Sequence, residues 1–156
     1  MPIRYVIGDA TRPQADGPAI IVHVCNDIGG WGRGFVLAIS KRWSEPEIEF
    51  RKWARGDLAQ PYGLGEVQLV QIEPELWVAN LVGQHGVRRR GGAAPVRYEA
   101  IREGLGKVAK LAIEVGASVH MPRIGCGLAG GRWEEVGPIV SETLSNLDVT
   151  VYDFES

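Results

Sequence analysis

The most informative stretch of this chain is MPRIGCGLAGG, residues 121–131. It follows an apolar run at residues 117–120 and precedes residues 133–136, where a helical pattern begins. In such a strand–turn–helix element, glycines let the backbone approach a ligand closely, and free N–H groups and the helix dipole favour an anion. Residues 121–131 therefore predict a phosphate-binding turn.

A second element of the same kind lies near the start of the chain. The run IIVHVC, residues 20–25, leads into NDIGGWGRG, residues 26–34, and the apolar residues 35–38 follow. A continuous β-branched run is typical of a strand that is buried on both faces. Two glycine-rich loops of this type predict one ligand whose diphosphate is held from both sides.

Six short segments together resemble a macrodomain. In chain order they are GDAT (8–11), HVCN (23–26), GWGRG (30–34), LGEV (64–67), PVRY (95–98) and PRIGCGL (122–128). The resemblance extends from about Tyr5 to Tyr152. It is strongest to the branch that contains terminal ADP-ribose glycohydrolase and the yeast-type ADP-ribose-1″-phosphate phosphatase. Macrodomains bind ADP-ribose or hydrolyse it from its attachment, so ADP-ribose is the ligand that the resemblance implies.

Composition is that of an ordinary soluble domain. The 156 residues are 45% hydrophobic and 23% charged, with a net charge of −2, which gives no general reason to expect affinity for nucleic acid or membranes. We expect a single macrodomain over residues 1–156, with both cysteines reduced. The start of the chain does not resemble a secretion signal and no apolar run has membrane-spanning length, so we expect a cytoplasmic protein.

Hydrophobic periodicity predicts alternating strands and helices. We expect strands over residues 3–7, 19–25, 65–72, 76–82, 119–124 and 149–154, and the third and fourth of these should form a hairpin. We expect helices over residues 33–43, from an N-cap at Ser44 to about Arg55, over 98–115 and over 133–144, with a loop at 83–94. Consistent with the resemblance, this order predicts a three-layer α/β/α sandwich around a mixed sheet of about six strands.

The resemblance also implies how an adenine would be bound. It assigns Asp9, next to Ala10, to accept a hydrogen bond from the adenine amino group; the alternative is a turn residue whose carboxylate caps local N–H groups. Tyr152 or Phe154 could stack on the adenine, or both could simply pack in the sheet.

The two glycine-rich loops supply the remaining residues that we expect to bind the ligand. These are Gly30, Trp31, Gly32, Gly34, Arg123, Gly125, Cys126, Gly127 and Leu128. Trp31 lies between two glycines, so we expect it to point outward and either wall the ribose pocket or cover the loop. We expect the Cys126 thiol to pack rather than to act as a nucleophile.

Two positions depart from the catalytic pattern of the glycohydrolase branch. Where that branch has a lysine that attacks the sugar, this chain has Gln84, and where it has an aspartate after the Gly-Cys-Gly-Leu turn, this chain has Ala129. A glutamine cannot form a Schiff base, so the resemblance predicts no covalent lysine mechanism here.

Few other side chains could take over catalysis. Asn26 lies where the family has a polar residue near the distal ribose, although it could equally be a turn residue. His85 is the one histidine that we expect to be available as an acid or base, because His23 and His120 lie in apolar strands. We expect no cofactor, and no metal, since no group of residues has metal-ligand spacing.

Three functions follow from these residues. The first is an ADP-ribosyl hydrolase that works by positioning, with the bound diphosphate helping catalysis; the second is an ADP-ribose-1″-phosphate phosphatase; the third is a module that only binds ADP-ribose. An isolated domain favours an enzyme over a binding module. The carrier of the ADP-ribose could be protein or nucleic acid. Arg88, Arg89 and Arg90 could contact phosphates of nucleic acid or of an ADP-ribose polymer, or simply form a solvated loop.

Overall fold

The computed structural model describes residues 2–88 and 91–154. Within these residues, six strands form one sheet in the order β1-β6-β5-β2-β4-β3. The strands are β1 (Arg4–Ile7), β2 (Ala19–Asn26), β3 (Val67–Glu73), β4 (Leu76–Gln84), β5 (Ser118–Met121) and β6 (Val149–Asp153). The α-helices are α1 (Phe35–Arg42), α2 (Glu45–Ala54), α3 (Tyr98–Val115) and α4 (Trp133–Thr143), and a short 3₁₀ turn covers Gly127–Ala129.

Five strands of the sheet run parallel. The pairs β1–β6, β6–β5, β5–β2 and β2–β4 are all parallel, whereas β3 pairs with β4 in the antiparallel sense, which confirms the expected hairpin. The carboxyl ends of β1, β6, β5, β2 and β4 therefore meet at one edge of the sheet. In open α/β sheets, ligands bind outside this edge.

Helices cover both faces of the sheet, as the sequence predicted. Alternate residues of β2 enter two separate cores. Ile20 and Val22 pack with residues of α3 and α4, whereas Ile21 and Cys25 pack with residues of α1 and α2. The result is the expected three-layer α/β/α sandwich. No helix among the described residues is long and apolar enough to span a membrane.

Several element boundaries differ from the prediction. Helix α1 begins at Phe35 rather than at residue 33, because Gly34 has φ = 80° and ψ = −145°, outside the helical region. Ser44 does occupy the N-cap position of α2, as predicted, but its backbone is helical and its side chain makes no capping hydrogen bond. Strand β4 continues to Gln84, into the predicted loop. Strand β5 ends at Met121, immediately before Pro122, which has no N–H for a sheet ladder.

Two buried histidines hold polar networks inside the sheet. His23 donates from Nε2 to Asn80 Oδ1 (2.5 Å), and its Nδ1 has no partner among the described residues. His120 bonds Tyr152 Oη through Nδ1 (2.8 Å) and Ser118 Oγ through Nε2 (2.7 Å). Burial lowers the pKa of each imidazole to about 4. Both rings are therefore neutral in the folded protein, as expected for core histidines.

We predict that acid weakens the fold through these two histidines. Each has a pKa near 4 when folded and near 6.5 when unfolded, so the unfolded chain binds more protons between these values. The free energy of unfolding should be constant above about pH 6.5 and fall towards pH 4, by on the order of 3 kcal/mol per histidine. Urea unfolding at a series of pH values measures this loss. An NMR titration midpoint near 6.5 for His23 or His120 in the folded protein would contradict the prediction.

Candidate functional site

A continuous cleft runs along the edge of the sheet where the parallel strands end. It consists of three adjoining cavities of about 530, 440 and 420 Å³, which we call the Asp9, Gly125 and Asn26 cavities. The Asp9 and Gly125 cavities share Phe35 and Pro122 as lining residues, and the Gly125 and Asn26 cavities share Arg33 and Leu128. The three cavities can therefore accommodate one elongated ligand.

The Gly125 cavity has the properties of an anion site. Helix α1 opens onto it, Gly34 supplies no side-chain cap, and the N–H groups of Phe35 and Val36 have no partner within the described residues. Gly125 faces them with φ = 75°, and a side chain there would begin 2.7 Å from Ile101 Cδ1. Unpaired N–H groups at a helix N-terminus attract negative charge. Both predicted glycine-rich loops thus contribute to one cavity.

The loop after β2 is held in place largely by Asn26. Its Oδ1 accepts hydrogen bonds from the N–H groups of Ile28 (3.1 Å) and Gly30 (2.9 Å), and its Nδ2 donates to Gly30 O (3.1 Å). This is the turn role that the sequence left open as an alternative, and one amide hydrogen remains for a ligand.

Tyr62 holds the same loop through its hydroxyl, a role that the sequence did not predict. Its hydroxyl donates to Asn26 O (2.7 Å) and accepts from Gly29 N–H (3.0 Å). Burial raises the pKa of Tyr62 to about 12, so the hydroxyl keeps its proton at neutral pH. No local signal reveals this contact, because Tyr62 lies 36 residues after Asn26.

The prediction that Trp31 points outward is wrong. Trp31 is 4% exposed and packs against Phe50 and the edge of His23. Its Nε1 donates to Ser40 Oγ (2.8 Å), which satisfies the only polar atom of the side chain. Although two glycines flank it, Trp31 anchors the loop in the core beneath the Asn26 cavity, which it also lines.

Gln84 lies at the centre of the cleft. It lines both the Gly125 and the Asn26 cavities. Its Nε2 donates to Gly86 O (2.9 Å), and its Oε1 has no hydrogen-bond partner among residues 2–88 and 91–154. The amide is thus oriented by its own loop, with a free acceptor.

His85 has a different position from the one predicted for an acid or base. Its Nδ1 bonds Asp27 Oδ2 (2.6 Å), and it is not among the residues that line the three cavities. Asp27 Oδ1 also accepts from Gly86 N–H (2.8 Å). Partial burial acts to raise the pKa of Asp27, but the hydrogen bonds from His85 and Gly86 lower it below its ordinary value. Asp27, a residue that the sequence did not indicate, thus holds the loop after Gln84 through hydrogen bonds to His85 and Gly86.

The Asp9 cavity contains the residues expected at an adenine. Asp9 Oδ1 accepts from the N–H (2.9 Å) and the hydroxyl (2.7 Å) of Thr11, whereas Oδ2 has no partner within the described part of the chain. Ala10 lines the same cavity. Tyr152 is 3% exposed and accepts from Gln14 N–H through its hydroxyl, whereas Phe154 is 75% exposed. Of the two aromatic residues predicted at the adenine, Phe154 is therefore the exposed one.

Arg123 and Cys126 are occupied by contacts within the protein. The Arg123 guanidinium pairs with Asp153 (2.6 Å) and stacks on the rings of Tyr5 and Trp133. Cys126 is half-buried against the core, and burial raises the pKa of its thiol, which favours the packing role. Cys25 and Cys126 are both free thiols, as expected.

The lysine and aspartate that the resemblance implies have no counterpart among the described residues that line the Gly125 and Asn26 cavities. Ala129 is 5% exposed and accepts a backbone hydrogen bond from Val96. Among the described residues, those that line the Gly125 and Asn26 cavities include no lysine and no carboxylate. Among all the described residues, no group of three or more histidines, cysteines, aspartates or glutamates could hold a metal ion.

Of the three consecutive arginines, the structure describes one. Arg88 is exposed and lines the Asn26 cavity. Arg89 and Arg90 lie outside the described residues.

Comparison with known proteins identifies the family. A macrodomain protein from Streptomyces coelicolor is 55% identical, with a TM-score of 0.87 over 97% of this chain and 99% of that one. A protein of unknown function from Bacteroides thetaiotaomicron is 51% identical, with a TM-score of 0.94 over 98% of both chains. No protein-family model matches the sequence. The identity to the Streptomyces coelicolor protein over nearly its full length shows that the chain belongs to the macrodomain family.

Other relatives differ more in sequence identity and in length. Chromodomain-helicase-DNA-binding protein 1-like from Danio rerio is 38% identical over 140 residues, but the chain spans 13% of its length. An ADP-ribose glycohydrolase from Bos taurus is 28% identical over 96% of this chain and 90% of that protein.

Proposed function

We propose that the chain binds ADP-ribose in this cleft and hydrolyses it from a modified protein or nucleic acid. The observation that carries the proposal is the order of the three cavities. The adenine would occupy the Asp9 cavity, the diphosphate the Gly125 cavity, and the distal ribose the Asn26 cavity. The name of the Bos taurus relative supports a glycohydrolase reaction for a chain of similar length. We take residues 1–156 as one macrodomain.

The ligand-binding roles follow from where each residue lies. Asp9 Oδ2 would accept from the adenine amino group, above Ala10 and the Tyr152 ring, with Phe154 stacking. The backbone of Gly125, Cys126, Gly127 and Leu128 would enclose the diphosphate from one side, and that of Gly32, Gly34 and α1 from the other. Gly30 and Trp31 would form the wall of the ribose site, and the remaining amide hydrogen of Asn26 would donate to a ribose hydroxyl. Arg123 would contribute through its backbone, because Asp153 occupies its side chain.

Catalysis would rely on positioning and on the substrate itself. Hydrolysis at the anomeric carbon passes through an oxocarbenium-like state, which nearby negative charge stabilises. Because no carboxylate lines the Gly125 and Asn26 cavities within the described residues, the bound diphosphate is the group that would supply this charge and accept a proton. Gln84 Oε1 would orient the attacking water, and the His85–Asp27 bond would hold Gln84 in place. Such orientation can contribute roughly 7–11 kcal/mol at best.

Our first prediction for the site concerns the diphosphate. A Gly125 substitution would clash with Ile101, so Gly32 is the better position: a side chain there meets no atom within 4 Å. Gly32→Glu should weaken ADP-ribose binding roughly ten- to hundredfold, because Gly32 lines the Asn26 cavity beside the Gly125 cavity and a carboxylate there would repel the adjacent diphosphate. Calorimetry measures the affinity, and Gly106→Glu on α3, which also meets no atom within 4 Å, is the matched control. Equal affinity in both variants and the wild type would exclude a diphosphate here.

The second prediction concerns recognition of adenine. Asp9→Asn should keep the Thr11 hydrogen bonds through its oxygen but present an NH₂ group where Oδ2 was. ADP-ribose binding should weaken by about 1–3 kcal/mol, the cost of losing a charge-assisted bond. IDP-ribose, whose base has an oxygen at that position, should bind Asp9→Asn better than it binds the wild type. If each ligand binds the variant and the wild type with the same affinity, Asp9 does not recognise the adenine and only caps the local turn at Thr11.

The third prediction concerns the reaction. Gln84→Ala should slow release of ADP-ribose at least tenfold while changing ADP-ribose affinity less than threefold, because the amide acts mainly on the water in the transition state. Release is measured on a panel of ADP-ribosylated proteins and oligonucleotides. Gln71→Ala, on the exposed part of β3, is the control and should retain wild-type turnover.

Two further outcomes would change the assignment. Borohydride should trap no adduct during the reaction, since no lysine lines the Gly125 or Asn26 cavity among the described residues. A trapped lysine adduct would refute the positioning mechanism. Tight ADP-ribose binding with no release from any carrier would indicate a binding module. Faster phosphate release from ADP-ribose-1″-phosphate than ADP-ribose release from any carrier would indicate a phosphatase.

A further inference from the structure

Cations of the protein are distributed unevenly around the cleft. Six described lysines and arginines away from it form ion pairs with acids, and a seventh, Arg123, lines the Gly125 cavity and pairs with Asp153. Three other cations away from the cleft, Arg97, Lys110 and Arg132, have no ion pair with any described residue. Five cations that line the cleft have no ion pair with any described residue: Arg12, Arg33, Lys41, Arg42 and Arg88. Asp9 is the one acid among the described lining residues of the three cavities. The cleft is thus cationic in a chain whose net charge is −2.

Three of these cations gather at the Asp9 cavity. Arg12 lies in the loop after β1, and Lys41 and Arg42 lie in the last turn of α1. Lys41 follows Phe35 by six residues, which places it about 9 Å further along the helix than the anion site. The diphosphate of ADP-ribose would bind near Phe35, so it does not account for charge at this end.

Neighbouring structure accounts for two of the three cations but not for Arg12. Lys41 and Arg42 interact favourably with the C-terminal end of the α1 dipole, and the Arg42 guanidinium lies over the Trp43 ring. Arg12, however, does not belong to α1, and its guanidinium has neither an ion pair nor a hydrogen bond within the described residues. Three like charges around one cavity repel each other, and an anion bound between them would relieve the repulsion.

The position of the cations restricts where such an anion could be attached. With the adenine on Asp9 and the 5′ oxygen leading to the diphosphate, adenosine can carry another group only at its 2′ or 3′ oxygen. A protein or nucleic acid joined to the distal ribose would lie at the other end of the cleft, beside Arg88. We infer that the Asp9 cavity binds a phosphate attached through the 2′ or 3′ oxygen of the adenosine ribose, held by Arg12, Lys41 and Arg42. This inference rests on the proposed function and specifies its substrate class.

Two ligands carry such a phosphate. In ADP-ribose 2′-phosphate the phosphate is bonded directly to the 2′ oxygen. In an oligomer of ADP-ribose a glycosidic bond joins the 2′ oxygen to a second ribose, and that ribose carries the next diphosphate. The test is calorimetry at low ionic strength with ADP-ribose, ADP-ribose 2′-phosphate and tri-ADP-ribose. The measured quantity is the ratio of the affinity of each extended ligand to that of ADP-ribose.

The wild type should bind at least one extended ligand tenfold or more tightly than ADP-ribose, and the preferred ligand identifies the source of the phosphate. The ratio should fall as salt is added, because these cations are exposed. In the triple variant Arg12→Gln, Lys41→Gln, Arg42→Gln the ratio should fall below two. The matched control Lys52→Gln, Arg102→Gln, Lys110→Gln removes the same charge from α2 and α3 and should keep the wild-type ratio.

Three results would overturn the inference. A wild-type ratio below two for both extended ligands, with ADP-ribose bound, would refute it and leave the proposed function intact. A ratio that persists in the triple variant, or that falls equally in the control, would show that these three cations are not the binding group. Failure of ADP-ribose itself to bind would refute the proposed function together with the inference.

Discussion

The cleft depends on the hydrogen bonds that close the loop after β2. Asn26 and Tyr62 satisfy the N–H groups of Ile28, Gly29 and Gly30 from within the loop and from a distant segment. Because the start of the loop is fixed in this way and Trp31 is buried beneath it, the N–H groups of Phe35 and Val36 at the start of α1 have no partner among the described residues and are available to the cleft. Buried polar groups left without partners are costly, so an opening of this kind persists only when the surrounding contacts hold it.

The opposite wall of the Gly125 cavity is the glycine-rich turn at residues 125–131, whose shape depends on its glycines. Gly125 has a positive φ, and a Cβ added there would lie 2.7 Å from Ile101 Cδ1 and within 4 Å of Val96 and Val136. A side chain at Gly131 would begin 2.2 Å from Gly125 O, so that both glycines are required for the turn to pack. A Cβ added at Gly34 on the facing loop would lie 3.4 Å from Leu128 Cδ1. The two glycine-rich loops thus both line the Gly125 cavity.

The residue types that line the cleft limit the chemistry that its side chains can carry out. Among the described residues, no lysine and no carboxylate lines the Gly125 and Asn26 cavities, so these walls supply neither an amine nucleophile nor a carboxylate base. Asp27 and His85 bond each other, and neither lines any of the three cavities. The cleft is lined instead by five cations that have no ion pair with any described residue.

The alternation of strands and helices, the β3–β4 hairpin and the two glycine-rich loops could be predicted from the sequence, because they depend on local periodicity and on glycine conformation. The three-layer arrangement followed from this order together with the resemblance, and it was the resemblance that placed Gln84 and Ala129 where a lysine and an aspartate are expected. Other features are visible only in the folded chain. Trp31 is buried, and the Asn26 side chain makes its hydrogen bonds to Ile28 and Gly30 of its own loop. Asp27 pairs with His85, 58 residues away in the sequence. The tertiary structure alone brought Arg12 together with Lys41 and Arg42. These contacts join side chains from separate elements, and no spacing along the chain encodes which elements will meet.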